Sequence, residues 1–297
     1  MGDKLRYSFR RYLTRCIFLT ALFLGTLATI TFIIKSPIFA SDLQRLNATY
    51  SINFNDFELG TFKLWSEMSN NRYSVLGKGE LSILQGIFFS WKATIKSSGK
   101  ITKRGPKPKS FSFHYESNSQ QEKVNVLFRK ERVNQVIYDP PFVPKGNIAP
   151  ISQKHLKKVF DPMSAMIALT SSKNNRKGSG SKICKITLPL FDGKERYNLV
   201  FSHKKTVHMS KTNEKGYSGP AHICRVRYHP IAGHEKDNQG TQFMADTKEI
   251  EVWMVPVPNT SFNLPYHIVI PTLVGYVSAT SQMFQVEKPN GEIAFVN

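Results

Sequence analysis

Two cysteines, Cys184 and Cys224, have the clearest chemistry in the chain beyond its first forty residues, which hold the third, Cys16. In an oxidising compartment an even pair reads as one disulfide. Cys184 shares strand parity with Ile186 and Leu188, and Cys224 with Val226 and Tyr228, so both sulfurs can face one interior. Closing a loop of about 40 residues would stabilise the fold by about 4 kcal/mol in the chain-entropy model. A redox role has less support, because there is no Cys-x-x-Cys pair.

His229 and His234 stand five apart beside Gly233 and near Glu235 and Asp237, a residue mix that can ligate zinc. A helical pair would stand four apart, and Pro230 and Gly233 interrupt the segment, so the two histidines read as turn residues. His203 and His208 raise the same question more weakly, on opposite parities of a strand-like run. Neither metal nor other cofactor is expected. Serine hydrolysis needs a nucleophile on a tight elbow, and no Gly-x-Ser-x-Gly occurs. Gly-rich phosphate loops are absent too, so the chain reads as a non-enzyme, with a hydrolase of envelope polymers as the third-ranked reading.

Binding chemistry is better represented. Phe54, Phe62, Trp65, Phe88, Trp91, Phe111 and Phe113 crowd the first half of the chain. On a curved sheet, with Met163 and Met166 from a short helix above them, they would line a cleft for an apolar ligand such as a lipid. The same aromatic alternation equally describes a filled core. Lys100, Lys103, Arg104, Lys107 and Lys109 cluster around Gly105, Pro106 and Pro108 and form a candidate contact for an anionic membrane surface.

The elements that must position these residues are mostly strands. Tyr50, Ile52 and Phe54 alternate with Ser51, Asn53 and Asn55, and similar runs recur to Met283–Val286, separated by turn residues such as Gly77-Lys78-Gly79 and Asp192-Gly193. The best helix candidate is Asp161–Leu169, with Asp161 as N-cap and Pro162 in the first turn. Leu84–Ala93 fits a helix or a strand. Residues 170–182 lose all periodicity and read as a flexible basic loop between two β-rich halves.

Residues 1–40 carry Arg6, Arg10, Arg11 and Arg15, then 19 uncharged residues from Cys16 to Ile34, then Ser36-Pro37-Ile38-Phe39-Ala40. That is the layout of a secretory signal, with cleavage after Ala40 favoured over a retained single-span anchor. The bulk of the chain, 41–297, is then one β-rich domain in the periplasm or cell envelope. The full chain carries +20 and its first forty residues six Lys/Arg and one acidic residue, which leaves +15 on 41–297. Outside the cytoplasm such charge points to anionic envelope surfaces, not nucleic acid.

DPMSAMIAL (161–169), followed by FDGKERYNLVF (191–201), resembles a bacterial family known only as domain of unknown function 3108. Leu59-Gly60-Thr61, Ser97-Ser98-Gly99-Lys100-Ile101 and PNTSFNLPYHIVIPTLVGYVSA (258–279) add to the likeness, which spans roughly Asn47 to Ala279. The resemblance implies an exported protein with a strongly curved antiparallel sheet or open barrel, similar to periplasmic lipoprotein carriers. It brings no catalytic residues. The expectation is therefore a mainly β envelope protein, closed by one plugging helix, that binds a lipid or other apolar ligand in its concave face. The alternative is a structural or interaction module for an unknown envelope protein, with a filled core.

Overall fold

The computed structural model describes residues 44–69, 71–83, 89–144, 146–170, 180–211, 217–257, 262–288 and 290–296. The leader segment, Phe88 and residues 171–179 of the basic loop lie outside them.

Period-two patterning produces fourteen strands. The first seven are β1 (Gln44–Phe54), β2 (Phe57–Ser69), β3 (Arg72–Ile83), β4 (Phe89–Thr102), β5 (Gly105–Ser117), β6 (Gln121–Arg129) and β7 (Arg132–Asp139). After a long connection come β8 (Ile186–Phe191), β9 (Arg196–Met209), β10 (Gly219–Ala232), β11 (Ile250–Pro256), β12 (Asn263–Thr272), β13 (Gly275–Glu287) and β14 (Ile293–Val296). Many of the strands bury one parity. Leu46, Ala48 and Tyr50 on β1, Tyr73 and Val75 on β3, and Val124, Val126 and Phe128 on β6 are buried, with Arg45, Ser74 and Lys123 facing out.

All the strands join one antiparallel sheet in the order β7-β6-β5-β4-β3-β2-β1-β13-β12-β11-β10-β9-β8, with β14 also on β13. The two β-rich halves are thus one structure, joined where β1 pairs with β13 from Arg45↔Glu287 to Phe54↔Val277. The sequence breaks β9 and β13 each into two strands. In the structure Tyr197–Phe201 continues into Val207–Met209, and Val274–Ser278 gives way to a single strand from Gly275 through Met283–Val286. Irregular register next to His203 and Ser281 breaks the alternation without breaking the strand.

The sheet's edges are β7 and β8, and the connection between them brings them together. Residues 156–160 lie between the edges as a strap. Val133 donates to the Leu156 carbonyl (3.0 Å) and Lys158 to that of Glu131 (2.7 Å). On the other side Phe160 donates to Pro189 (2.8 Å) and Phe191 to Phe160 (2.8 Å). Val159 and Phe191 fill the core beneath, against Phe111, Val124, Val126 and Phe128. Backbone groups that would stand free on two edges are paired through the strap.

The strap leads into α1 (Pro162–Thr170), where Asp161 is the cap expected from the sequence. Its Oδ1 accepts from the amides of Met163 and Ser164, both at 3.0 Å, and Ser97 Oγ donates to Oδ2 at 3.1 Å. Helix α1 is apolar around its circumference, as a plug requires. Ile167, Met163 and Met166 pack into a cluster with Leu46, Tyr50, Leu64 and Phe284, and Ala165 and Leu169 into a second with Leu188, Val226 and Met254. The second cluster also holds the Cys184–Cys224 disulfide, both residues fully buried and their Cα atoms 5.3 Å apart. Cys184 does not stand in a strand, as its parity suggested. It occupies the turn after the short helix α2 (Gly180–Ile183).

Candidate functional site

The interior aromatics come together only in part. Phe111 is buried and Phe113 half-buried in one cluster, while Trp91 stacks on Tyr115 with centroids 6.3 Å apart. Phe62 is half-buried across Gly77 and Gly79, and Phe54 is half-buried at the end of β1. Trp65 requires a correction. It alternates with the buried Leu64 and Ser66, is 38% exposed, and therefore faces outward. Among the described residues, the void between Leu46, Tyr50, Leu64, Phe284, Met166 and Ile167 measures about 30 Å³. Small-molecule sites run to about 300–1,000 Å³, so this void alone is too small to hold such a ligand.

The basic hairpin lies where the sequence put it and gathers further cations around it. Lys100, Lys103, Arg104 and Lys109 are exposed about the β4–β5 turn. Lys107 forms an ion pair with Glu131 of the β6–β7 turn, next to the exposed Arg129, Lys130 and Arg132. Lys157 and Lys158 reach the same place from the strap, where Lys157 pairs with Arg132 and Lys158 with Glu131 through the backbone. The carboxylate of Glu131 is held below the usual range, first by its hydrogen bond from Lys107 and then by the charges of Lys107, Lys158 and Arg104. Lys130, Glu131 and Lys158 all take left-handed backbone, with φ of 50°, 58° and 53°. In non-glycine residues this costs about 1 kcal/mol or more each. A recess of about 250 Å³ opens among Arg104, Lys107, Glu131 and Lys158, with Val159 and Phe160 among its lining residues.

A second concavity was invisible in the sequence. It is an open groove of about 810 Å³, assembled from the β5–β6 hairpin, the loop after β7, the β8–β9 turn, the end of β10 and the start of α3 (Gln239–Asp246). Asp192 shapes the turn, its Oδ1 accepting from the amides of Lys194 (2.8 Å) and Glu195 (2.7 Å). Lys194 Nζ lies 2.6 Å from Glu122 and 5.4 Å from the centre of the Phe142 ring, which packs on Tyr138 at 5.1 Å. The Tyr138 hydroxyl donates to the Gly193 carbonyl. Glu195 accepts from the Tyr228 hydroxyl at 3.1 Å, and burial followed by the charge of Asp192 pushes its carboxyl above the usual range.

Two glycines shape the turns at the groove, and one of them, Gly233, lines it. Gly233 (φ 86°) lies so close to the β8–β9 turn that a Cβ would fall 2.0 Å from the Lys194 carbonyl oxygen. At Gly193 (φ 109°) a Cβ would meet Val124 at 2.4 Å. Both positions combine left-handed backbone with close approach, which only glycine tolerates.

His229 is exposed on β10. His234 follows that strand, and its buried Nδ1 has no hydrogen-bond partner among the described residues. Among the described residues, no group of three or more His, Cys, Asp or Glu side chains is arranged to hold a metal.

With the geometry in place, comparison with known proteins gives a family. A model described as "Protein of unknown function (DUF3108)" matches residues 49–281. The chain belongs to the DUF3108 family. That match runs from within β1 to within β13 and takes in both the groove and the basic hairpins, so each lies within the DUF3108 region. No curated protein matches. Among solved structures, a β-barrel-like protein of domain of unknown function DUF1849 from Brucella abortus is similar at 8% identity, over 82% of this chain and 97% of that one, with a TM-score of 0.46.

Proposed function

We propose that this DUF3108 protein is an exported, non-catalytic envelope protein that docks on an anionic envelope surface through its basic hairpin end. The observation that carries this reading is the convergence of Arg104, Lys107 and Lys158 on the carboxylate of Glu131, with Lys130, Arg132 and Lys157 exposed on the adjoining β6–β7 turn and strap. Like charges gathered this way repel one another, and an anionic partner relieves that repulsion. Export is supported by the basic and apolar leader and by a fully buried disulfide, which suits an oxidising compartment. The small size of the void between α1 and β1 among the described residues supports a binding module over a carrier that encloses lipid.

Co-sedimentation with vesicles tests the docking, using the protein isolated from cells that export it. It should bind phosphatidylglycerol-containing vesicles, not phosphatidylcholine alone, and added salt should weaken the binding. Replacing Lys130, Arg132, Lys157 and Lys158 with Gln should weaken it about a thousandfold, at about 1 kcal/mol per cation. Equal binding to neutral vesicles, or an unchanged affinity in the variant, overturns the reading. N-terminal sequencing of the same material tests processing after Ala40.

A further inference from the structure

We infer that the groove between the β5–β6 hairpin and the β8–β9 turn is a binding site for an uncharged oligosaccharide. Its volume, about 810 Å³, is in the range of small-molecule sites, and it is open, so a chain can lie along it without being enclosed. Phe142 is 39% exposed and packs on Tyr138 with the ring planes 31° apart, which gives the groove an exposed apolar wall beside Lys194 that the C–H face of a sugar ring can contact. Around that wall Gln120, Gln121 and Glu235 offer amide donors and oxygen acceptors, the partners that ring hydroxyls need.

The groove's charge narrows the choice. Glu122, Glu195 and Glu235 line it against Lys194, whose ammonium is already held by Glu122, so an anionic ligand would meet net negative charge. An apolar ligand would strip water from these carboxyls and amides without replacing their hydrogen bonds. A neutral polyol satisfies both conditions. The close packing of Gly233 against the β8–β9 turn fixes one wall before any ligand arrives, which lowers the ordering cost of binding. This inference is independent of the basic hairpin end, because the two sites share no residue.

Isothermal titration of the exported protein with chitotetraose, an uncharged sugar oligomer, tests it. Saturable binding is expected, weakened about tenfold or more by Phe142→Ala, with its melting temperature unchanged, and by Glu195→Gln. Phe142 is exposed, so its replacement leaves the fold intact even if that of Glu195 does not. The four-cation variant of the hairpin end should bind the sugar normally, which separates failure here from failure of the docking reading. No saturable heat, binding that survives both groove substitutions, or capture of tetralysine in place of the sugar would overturn the proposal.

Discussion

At the β4–β5 and β6–β7 hairpins, Arg104, Lys107 and Lys158 surround one carboxylate, Glu131, whereas in the groove Lys194 is matched by Glu122 and faces two more carboxylates, Glu195 and Glu235. The first arrangement leaves uncompensated charge on exposed side chains, where it acts over a Debye length of about 8–10 Å and yields to salt. The second pairs its cation and surrounds it with rings and amides, so recognition there depends on contact and shape. Under the two proposals, one basic chain carries a surface that attracts at a distance and another that discriminates close up. Both are built from segments far apart in sequence, and both rest on left-handed backbone, borne by Lys130, Glu131 and Lys158 in one case and by Gly193 and Gly233 in the other.

The largest expected effect tests whether the two regions stand or fall together. Replacing Cys184 and Cys224 with Ser should remove about 4 kcal/mol from urea unfolding, given the 40-residue separation. Cys224 shares β10 with Tyr228, which holds Glu195, while the basic end hangs on β4 to β7 and the strap. At intermediate urea the variant should lose sugar binding while keeping vesicle binding. Simultaneous loss would mean one cooperative unit.

A middle-sized effect is expected at Asp161, which anchors the strap that carries Lys157 and Lys158. Asp161→Ala removes the cap and its bond to Ser97, at a cost of about 1–3 kcal/mol. Burial holds the Asp161 carboxyl above its ordinary value, so the folded state keeps its proton at pH values where the unfolded chain has released it. Stability from this group is therefore greatest below about pH 3.9, the unfolded value, and falls as pH rises through the window up to the folded one. Melting temperatures measured against pH should show a shallower fall for Asp161→Asn. An equal slope in both proteins would remove Asp161 as its source.

The smallest effect is expected from Tyr138→Phe, which deletes the hydroxyl that donates to Gly193 and should cost about 0.5–1.5 kcal/mol. Its value lies in locality. Sugar affinity should drop while vesicle affinity stays the same, and the reverse pattern would mean that the hydroxyl supports the basic end instead.

Much of this fold could be read from residue order because it depends on local pattern. Alternation marked the strands, Asp161-Pro162 marked the start of α1, and the even count of cysteines beyond the leader marked the disulfide, although Cys184 reaches it from a turn and not from the strand its parity suggested. Grouping residues by type was less reliable than counting parity. Trp65 was placed with the inward aromatics although it is out of step with Phe62 and Leu64. Helix α3 was missed because QGTQFMAD buries no residue and presents no apolar stripe, leaving only the Asn238 cap as a signal. Half of the basic end was visible at Lys100–Lys109. Arg129–Arg132 and Lys157–Lys158 join it through hairpin and strap pairing that no local pattern reveals. The groove is hidden for the same reason, since its lining comes from five segments. Asp192-Gly193 and Gly233 were visible as turn residues, but nothing in the order of residues brings those turns together.

The pairing of β1 with β13 has a consequence for how the molecule is completed. Arg45 meets Glu287, 242 residues later, so the centre of the sheet joins the two ends of the folded domain. A product truncated before Gly275 would carry two raw margins, on β1 and on β12, in the middle of what should be continuous structure. Margins of that kind recruit strands from other molecules, so premature termination should yield insoluble assemblies instead of a smaller working protein.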